Sequence, residues 1–230
     1  MIDDLPSGPI ACVVAHPDDE VLAFGGALTR HAEAGHAVSV LFLATGLAAR
    51  GDGAPDAAAL EDLRARARAA GAVLGVDRLE FEDFPDNRMD SVALLDVIKR
   101  VEAFLADTGA ATVYTHHAGD LNIDHAVVAR ATLTACRPLP GATVRRLYAG
   151  EVPSSSEWAA PDDRFQPTSY LDIADCLDRK CRALECYAGE LRPWPHPRSV
   201  EGLTHLARLR GGEAGLEAAE AYRLLREIRR

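Results

Sequence analysis

The sequence predicts an α/β protein: a largely parallel sheet with helices on both faces, followed by a mainly helical C-terminal part. Three observations carry this expectation. Short apolar runs rich in β-branched residues alternate with longer segments of helical pattern. The first runs are apolar throughout, as strands covered on both faces are. Strand followed by helix repeats several times, the order that builds crossover connections in a parallel sheet. A chain of 230 residues, 48% hydrophobic, buries roughly 70% of its unfolded surface without disulfides. Residues 1–230 are therefore expected to form one domain.

In chain order, Ile10 to Ala15 reads as a buried strand and Glu20 to Ala34 as a helix stopped by Gly35. Ala37 to Thr45 is the next strand, closed by Gly46. Ala57 to Leu74 is a long helix ending at Gly75, and Leu79 to Glu82 a short strand. Val92 to Ala106 is helical, Ala111 to Thr115 a strand, His125 to Cys136 a helix, and Val144 to Val152 a strand. After Pro153 comes a Ser-rich loop, then mostly helices from Ile173 onward. No internal repeat or low-complexity tract interrupts this order.

Charge and composition exclude several classes. The formal net charge of −10 opposes a non-specific nucleic-acid binder, which needs a basic face. No apolar stretch approaches the roughly 20 residues of a membrane helix. Met1-Ile2-Asp3-Asp4 is acidic where a secretory signal is positive, so a cytoplasmic location is expected. Five cysteines form no disulfide framework. Cys176, Cys181 and Cys186 recur every five residues, and on a helix such steps point the thiols in different directions, which disfavours a thiolate metal site.

In open sheets of this kind ligands bind beyond the C-terminal ends of the strands, and two polar clusters fall there. The first is Ala15-His16-Pro17-Asp18-Asp19-Glu20, after the first strand. A plain reading makes it an acidic helix N-cap beside a histidine; three carboxylates in a row plus a histidine exceed what a cap needs. The second is His116-His117-Ala118-Gly119-Asp120-Leu121-Asn122-Ile123-Asp124-His125, where Asp124 could be a helix N-cap. Imidazole with carboxylate is a divalent-metal donor set, and three such ligands with a vacant position suit hydrolytic zinc. No Gly-x-Gly-x-x-Gly is present, which counts against a dinucleotide site.

At these residues the sequence resembles the PIG-L/LmbE-like deacetylases, Rossmann-like zinc-dependent enzymes acting on N-acetylglucosaminyl and related substrates. Ala-His-Pro-Asp-Asp-Glu at 15–20 is their signature, and Asp-x-Asn-x-Asp-His at 120–125 resembles their second metal motif. Weaker matches are Thr45-Gly46 through Arg50, Leu74-Gly75-Val76, Phe84-Pro85-Asp86, Glu157-Trp158, Tyr187 through Glu190 and His196-Pro197-Arg198. The resemblance implies His16, Asp19 and His125 as metal ligands for Zn2+, with Fe2+ as the alternative ion. It implies Asp18 as the general base that takes a proton from water and returns it to the leaving amine. Arg64 and Asp86 occupy places like those of the family's sugar-contacting residues, and His196 and Arg198 would belong to the rim. The implied partner is a small N-acetylated sugar or glycoconjugate, with oligomeric state left open.

Two positions depart from the family pattern. Asn122 stands where several relatives carry a histidine that polarises the acetyl carbonyl; its amide would be the catalytic donor here, with His116, His117 or His196 as substitutes if it points elsewhere. Leu47 stands where some relatives carry a sugar-contacting glutamate. The expected function is metal-dependent N-deacetylation of an amino sugar or glycoconjugate. Three alternatives use similar residues: a mononuclear amidase on a larger amide such as a thiol conjugate, a metallophosphoesterase with two metals about 3.5–4 Å apart, and a non-catalytic sugar-binding module.

Overall fold

The structure, a computed structural model, describes residues 5–46 and 56–229. Its elements run β1 (Ile10–Val14), α1 (Asp19–Glu33), β2 (Val38–Ala44), α2 (Ala57–Leu74), β3 (Arg78–Phe84), α3 (Leu94–Thr108), β4 (Thr112–His116), α4 (Ile123–Ala135), β5 (Arg146–Gly150), β6 (Ser169–Asp172), α5 (Leu177–Glu185), α6 (Val200–Ala214) and β7 (Ala219–Glu227), with short 3-10 turns between. Leu47 and Arg50, singled out in the sequence, lie outside the described residues. Among the described residues no helix is long and apolar enough to cross a membrane.

The seven strands form one sheet in the order β3-β2-β1-β4-β5-β7-β6. Strands β1 to β5 are parallel, whereas β7 is antiparallel to both β5 and β6. Strand β1 alternates its side chains between two cores. Ile10, Cys12 and Val14 join residues of α1, α2 and α5 on one face, and Ala11, Val13 and Ala15 join those of α3 and α4 on the other. Both faces are therefore covered, as the unbroken apolar runs predict. The order reverses between β1 and β4, because the chain goes outward through β2 and β3 and then returns to the other side of β1. A crevice opens at such a reversal, and the two polar clusters leave the sheet from these two strands.

The C-terminal part differs from expectation. It contains helices α5 and α6, but residues 219–227 are a strand, as are 169–172. The segment Ala219-Glu220-Ala221-Tyr222-Arg223-Leu224-Leu225-Arg226-Glu227 is rich in good helix formers. Pairing on both sides, with Ala219 to Tyr222 all buried, overrides that preference. Glu220 is fixed by an internal set of donors: the backbone N–H groups of Gly26 and Ala27 in α1, Lys180 Nζ at 2.6 Å and the Tyr222 hydroxyl. The cysteines do not converge: Cys176 Sγ contacts Gly26 O, Cys181 Sγ contacts Thr204, and Cys186 Sγ contacts Arg182 O.

Candidate metal centre

The chain leaves β1 through Ala15 and His16 and turns sharply into α1. The turn passes through Asp18, a non-glycine residue at φ 108°, in the left-handed region that costs a side chain of this kind strain. Glu20 braces it: one carboxylate oxygen accepts from the Asp18 N–H at 2.9 Å, the other from the Tyr187 hydroxyl at 2.6 Å. The result sends adjacent carboxylates to different places. Asp19 turns inward, its Oδ2 3.4 Å from His16 Nδ1 and 3.3 Å from His125 Nε2. Asp18 turns to the cleft, where Arg198 Nη1 donates to its Oδ2 at 3.2 Å.

His16, Asp19 and His125 thus offer three donor atoms within 4.8 Å of one another. Asp19 Oδ1 is buried with no hydrogen-bond partner. A carboxylate with one oxygen against two imidazoles and the other buried without a partner fits a divalent cation well. Each histidine is also backed by a carboxylate, the arrangement that orients metal-binding imidazoles. His16 Nε2 lies 3.0 Å from Asp124 Oδ2 and 3.1 Å from Asp86 Oδ1, which leaves Nδ1 for the metal. His125 Nδ1 lies 3.1 Å from Asp120 Oδ1, which leaves Nε2. Asp120 is held in turn by the hydroxyls of Ser155 and Ser156 and by the Asn122 N–H. Asp124 accepts from the backbone N–H groups of Asn87 and Met89, at 2.6 and 2.9 Å.

The electrostatics follow from burial and proximity. Burial, with Asp19 and Glu190 adding to it and Arg198 opposing it, pushes Asp18 up to about 7. Burial acts on Asp19 in the same direction, but His125 outweighs it and holds its carboxyl well below the usual range. His116 is driven down to about 3 by burial and by His125. Its ring lies flat on that of His125, centroids 3.9 Å apart and planes 4° from parallel, and its Nε2 accepts from the Ala15 N–H at 2.8 Å.

A cleft of about 310 Å³ opens above these groups, lined by His16, Asp18, Asp86, Asn87, Asn122, Glu190, Arg192 and Arg198 among others. Asp86, Asn122 and Arg198 are therefore brought to the site. Asn122 is also the N-cap of α4: its Oδ1 accepts from the Asp124 N–H at 2.9 Å, and its Nδ2 donates to Asn87 Oδ1 at 3.3 Å. Arg64 does not line the cleft; it donates to Asp83 at 2.6 Å and lies over the Phe81 ring. His196 sits behind the rim, accepting from the Arg198 N–H at 3.1 Å and edge-on to Trp158. His117 turns away toward Asp163 O. Sequence reasoning missed Asn87, Arg192, Ser155 and Ser156. The Ser-rich stretch after Pro153 was a signal, read there only as a loop.

Comparison with known proteins agrees with this fold. The chain is 30% identical over 234 aligned residues to a 4-oxalmesaconate hydratase of Pseudomonas putida, covering 91% of this chain and 82% of that one. The crystal structure of GalB, the 4-carboxy-2-hydroxymuconate hydratase of Pseudomonas putida, superposes with a TM-score of 0.78 at 27% identity, over 96% of this chain and 98% of that one. The N,N'-diacetylchitobiose deacetylase of Pyrococcus horikoshii shares the fold, with a TM-score of 0.78 at 16% identity over 95% and 84% of the two chains. Residues 11–136, which carry both polar clusters, match the profile of PIG-L, described as GlcNAc-PI de-N-acetylase. The chain belongs to the PIG-L family and is an enzyme of its deacetylase and hydratase kind.

Proposed function

We propose that the protein, acting as one domain over 1–230, is a zinc-dependent N-deacetylase of an N-acetylated amino sugar or glycoconjugate. The observation that carries this reading is the triad His16, Asp19 and His125, with the Asp18 carboxylate turned to the cleft beside it. Zinc held by these three residues would supply a Lewis acid and a water of lowered pKa. The protein's own groups supply the rest. Asp18, held by Arg198, takes the proton from water and returns it to the leaving amine, which cannot depart as an anion. Asn122 faces the cleft with one amide N–H committed to Asn87 and a second N–H to offer the developing oxyanion. Asp86 and Arg198 would contact the substrate.

The second group within reach of a metal, His16, Asp86 and Asp124, shares His16 with the first. Asp124 already serves two backbone N–H groups, which supports a single metal and counts against a dinuclear phosphoesterase. A base beside the ligands counts against a module that only binds sugar.

A second reading is hydration of an unsaturated carboxylic acid. Hydratases are among the relatives, at 30% and 27% identity, and Arg192 and Arg198 in the cleft wall suit carboxylates. One experiment separates the readings. The zinc-loaded protein is offered N-acetylglucosamine, N,N'-diacetylchitobiose and an N-acetylated thiol conjugate while acetate is measured, and a conjugated hydroxymuconate-type acid while its ultraviolet absorbance is followed. Zinc-dependent acetate release from the sugars is expected. Release from the thiol conjugate alone makes it an amidase of that class, and loss of absorbance without acetate establishes the hydratase.

A further inference from the structure

We infer that His116, which is not one of the three ligands, is a positioning residue whose flat ring face sets the plane of His125 and so the metal affinity of the site. The inference rests on the metal reading above. Three observations support it. The two rings are stacked at 3.9 Å and within 4° of parallel, the closest and flattest ring pair among the described residues, whereas His16 is tilted by 47° to His125. Asp120 Oδ1 lies 3.1 Å from His125 Nδ1 but off hydrogen-bond geometry, so this contact at the ring edge leaves the plane free to tilt. The stacked face removes that freedom, and the two restraints together aim Nε2 at Asp19.

The second observation shows why His116 is not itself a ligand. Its Nε2 lies 3.4 Å from Asp19 Oδ2, close enough to suggest one, but the lone pair of that nitrogen is taken by the Ala15 N–H at 2.8 Å. This bond ties the end of β4 to the residue immediately before His16, so one ring touches both arms of the centre. Third, His116 Nδ1 is buried with no hydrogen-bond partner. The Nε2 bond places the proton of a neutral ring on Nδ1, so a donor goes unsatisfied. An unpaired buried donor is costly; a hydrophobic ring would avoid that cost but could not hold Ala15.

Two substitutions divide the roles. His116→Gln keeps an acceptor for Ala15 and removes the ring; His116→Phe keeps the ring and removes the acceptor. Zinc Kd is measured by competition with a chromophoric chelator, and the visible spectrum of the Co2+-loaded protein reports ligand geometry. Zinc-free melting curves confirm that each variant folds. Weakening of zinc by about 10–100-fold, the usual scale for a residue that orients a ligand, is expected for His116→Gln, with altered Co2+ bands. His116→Phe should bind zinc within about threefold of wild type, well inside that scale, with unaltered bands. Wild-type zinc affinity in His116→Gln overturns the inference. Affinity in His116→Phe as poor as in His116→Gln overturns it too, by moving the role to Nε2. His16→Ala is the separate control: undiminished zinc binding there would sink the metal reading itself.

Discussion

Asp124 offers the sharpest separation of architecture from chemistry, because its two oxygens serve different masters. Oδ1 accepts from the Met89 N–H, while Oδ2 accepts from the Asn87 N–H and faces His16 Nε2. Asp124→Ala leaves two backbone N–H groups without an acceptor, at about 1–3 kcal/mol each, or roughly 2–6 kcal/mol. Against a total stability of about 5–15 kcal/mol that is severe, and at about 2–4 °C per kcal/mol for a chain of this size the zinc-free melting temperature should fall by about 4–24 °C. The same change strips His16 of one oriented partner, which should weaken zinc by about 10–100-fold. Asp124→Asn keeps an acceptor for Met89, so its stability loss should be smaller while its zinc loss stays comparable. Thermal melts of the zinc-free protein and chelator competition measure the two effects independently. A large stability loss with wild-type zinc affinity in both variants would mean that Asp124 merely anchors the 87–89 turn, and the carboxylate-to-imidazole argument would be wrong.

Three further outcomes follow from the same contacts. Asp18→Asn should keep its metal but lose turnover by about 10²–10⁴-fold, whereas Asp19→Asn should lose metal; equal metal loss in both, by elemental analysis, would abolish the distinction between base and ligand. Asn122→Asp should cut turnover at least as deeply as the about 10–10³-fold expected for Asn122→Ala, yet keep the helix cap that Ala removes, so its melting temperature should be the higher of the two. Glu220→Ala strands the buried Lys180 charge and should cost about 3–5 kcal/mol in urea unfolding, more than Lys180→Met, which leaves Glu220 three other donors.

The sheet was legible because it depends on local patterns. Unbroken apolar runs mark strands covered on two faces, and strand ends mark where ligands sit, so two polar clusters could be placed on one edge, and through the family resemblance His16, Asp19 and His125 could be singled out within them before any coordinate. The residues that orient them could not. Ser155 and Ser156 reach Asp120 from a loop some 35 positions away, and Arg198, expected at the rim from the resemblance, reaches Asp18 across 180. Neither has a periodic signature. Arg64 shows the converse. Its place in the chain matched a family position, but in space Asp83 and Phe81 take its guanidinium. Strand β7 was missed because its composition favours a helix, and only pairing with β5 and β6 decides otherwise.

The run Asp18-Asp19-Glu20 shows why a run of carboxylates at a helix start should not be dismissed as capping. Asp18 is the N-cap of α1, yet its side chain makes no capping hydrogen bond. Like charges on neighbouring residues repel, and burying three of them together is tolerable only if each meets its own partner. Here each does. Asp18 meets Arg198, Asp19 meets His16 and His125, and Glu20 meets Tyr187 and the Asp18 N–H. The left-handed backbone at Asp18 is what makes the partition feasible, since it turns two adjacent side chains toward different groups. Glu20 in turn stabilises that backbone by accepting from the strained residue's own N–H. The strain therefore serves geometry: it turns one carboxylate to the cleft and the next inward to two histidines, the placement that the proposed base and ligand require of consecutive positions in the chain.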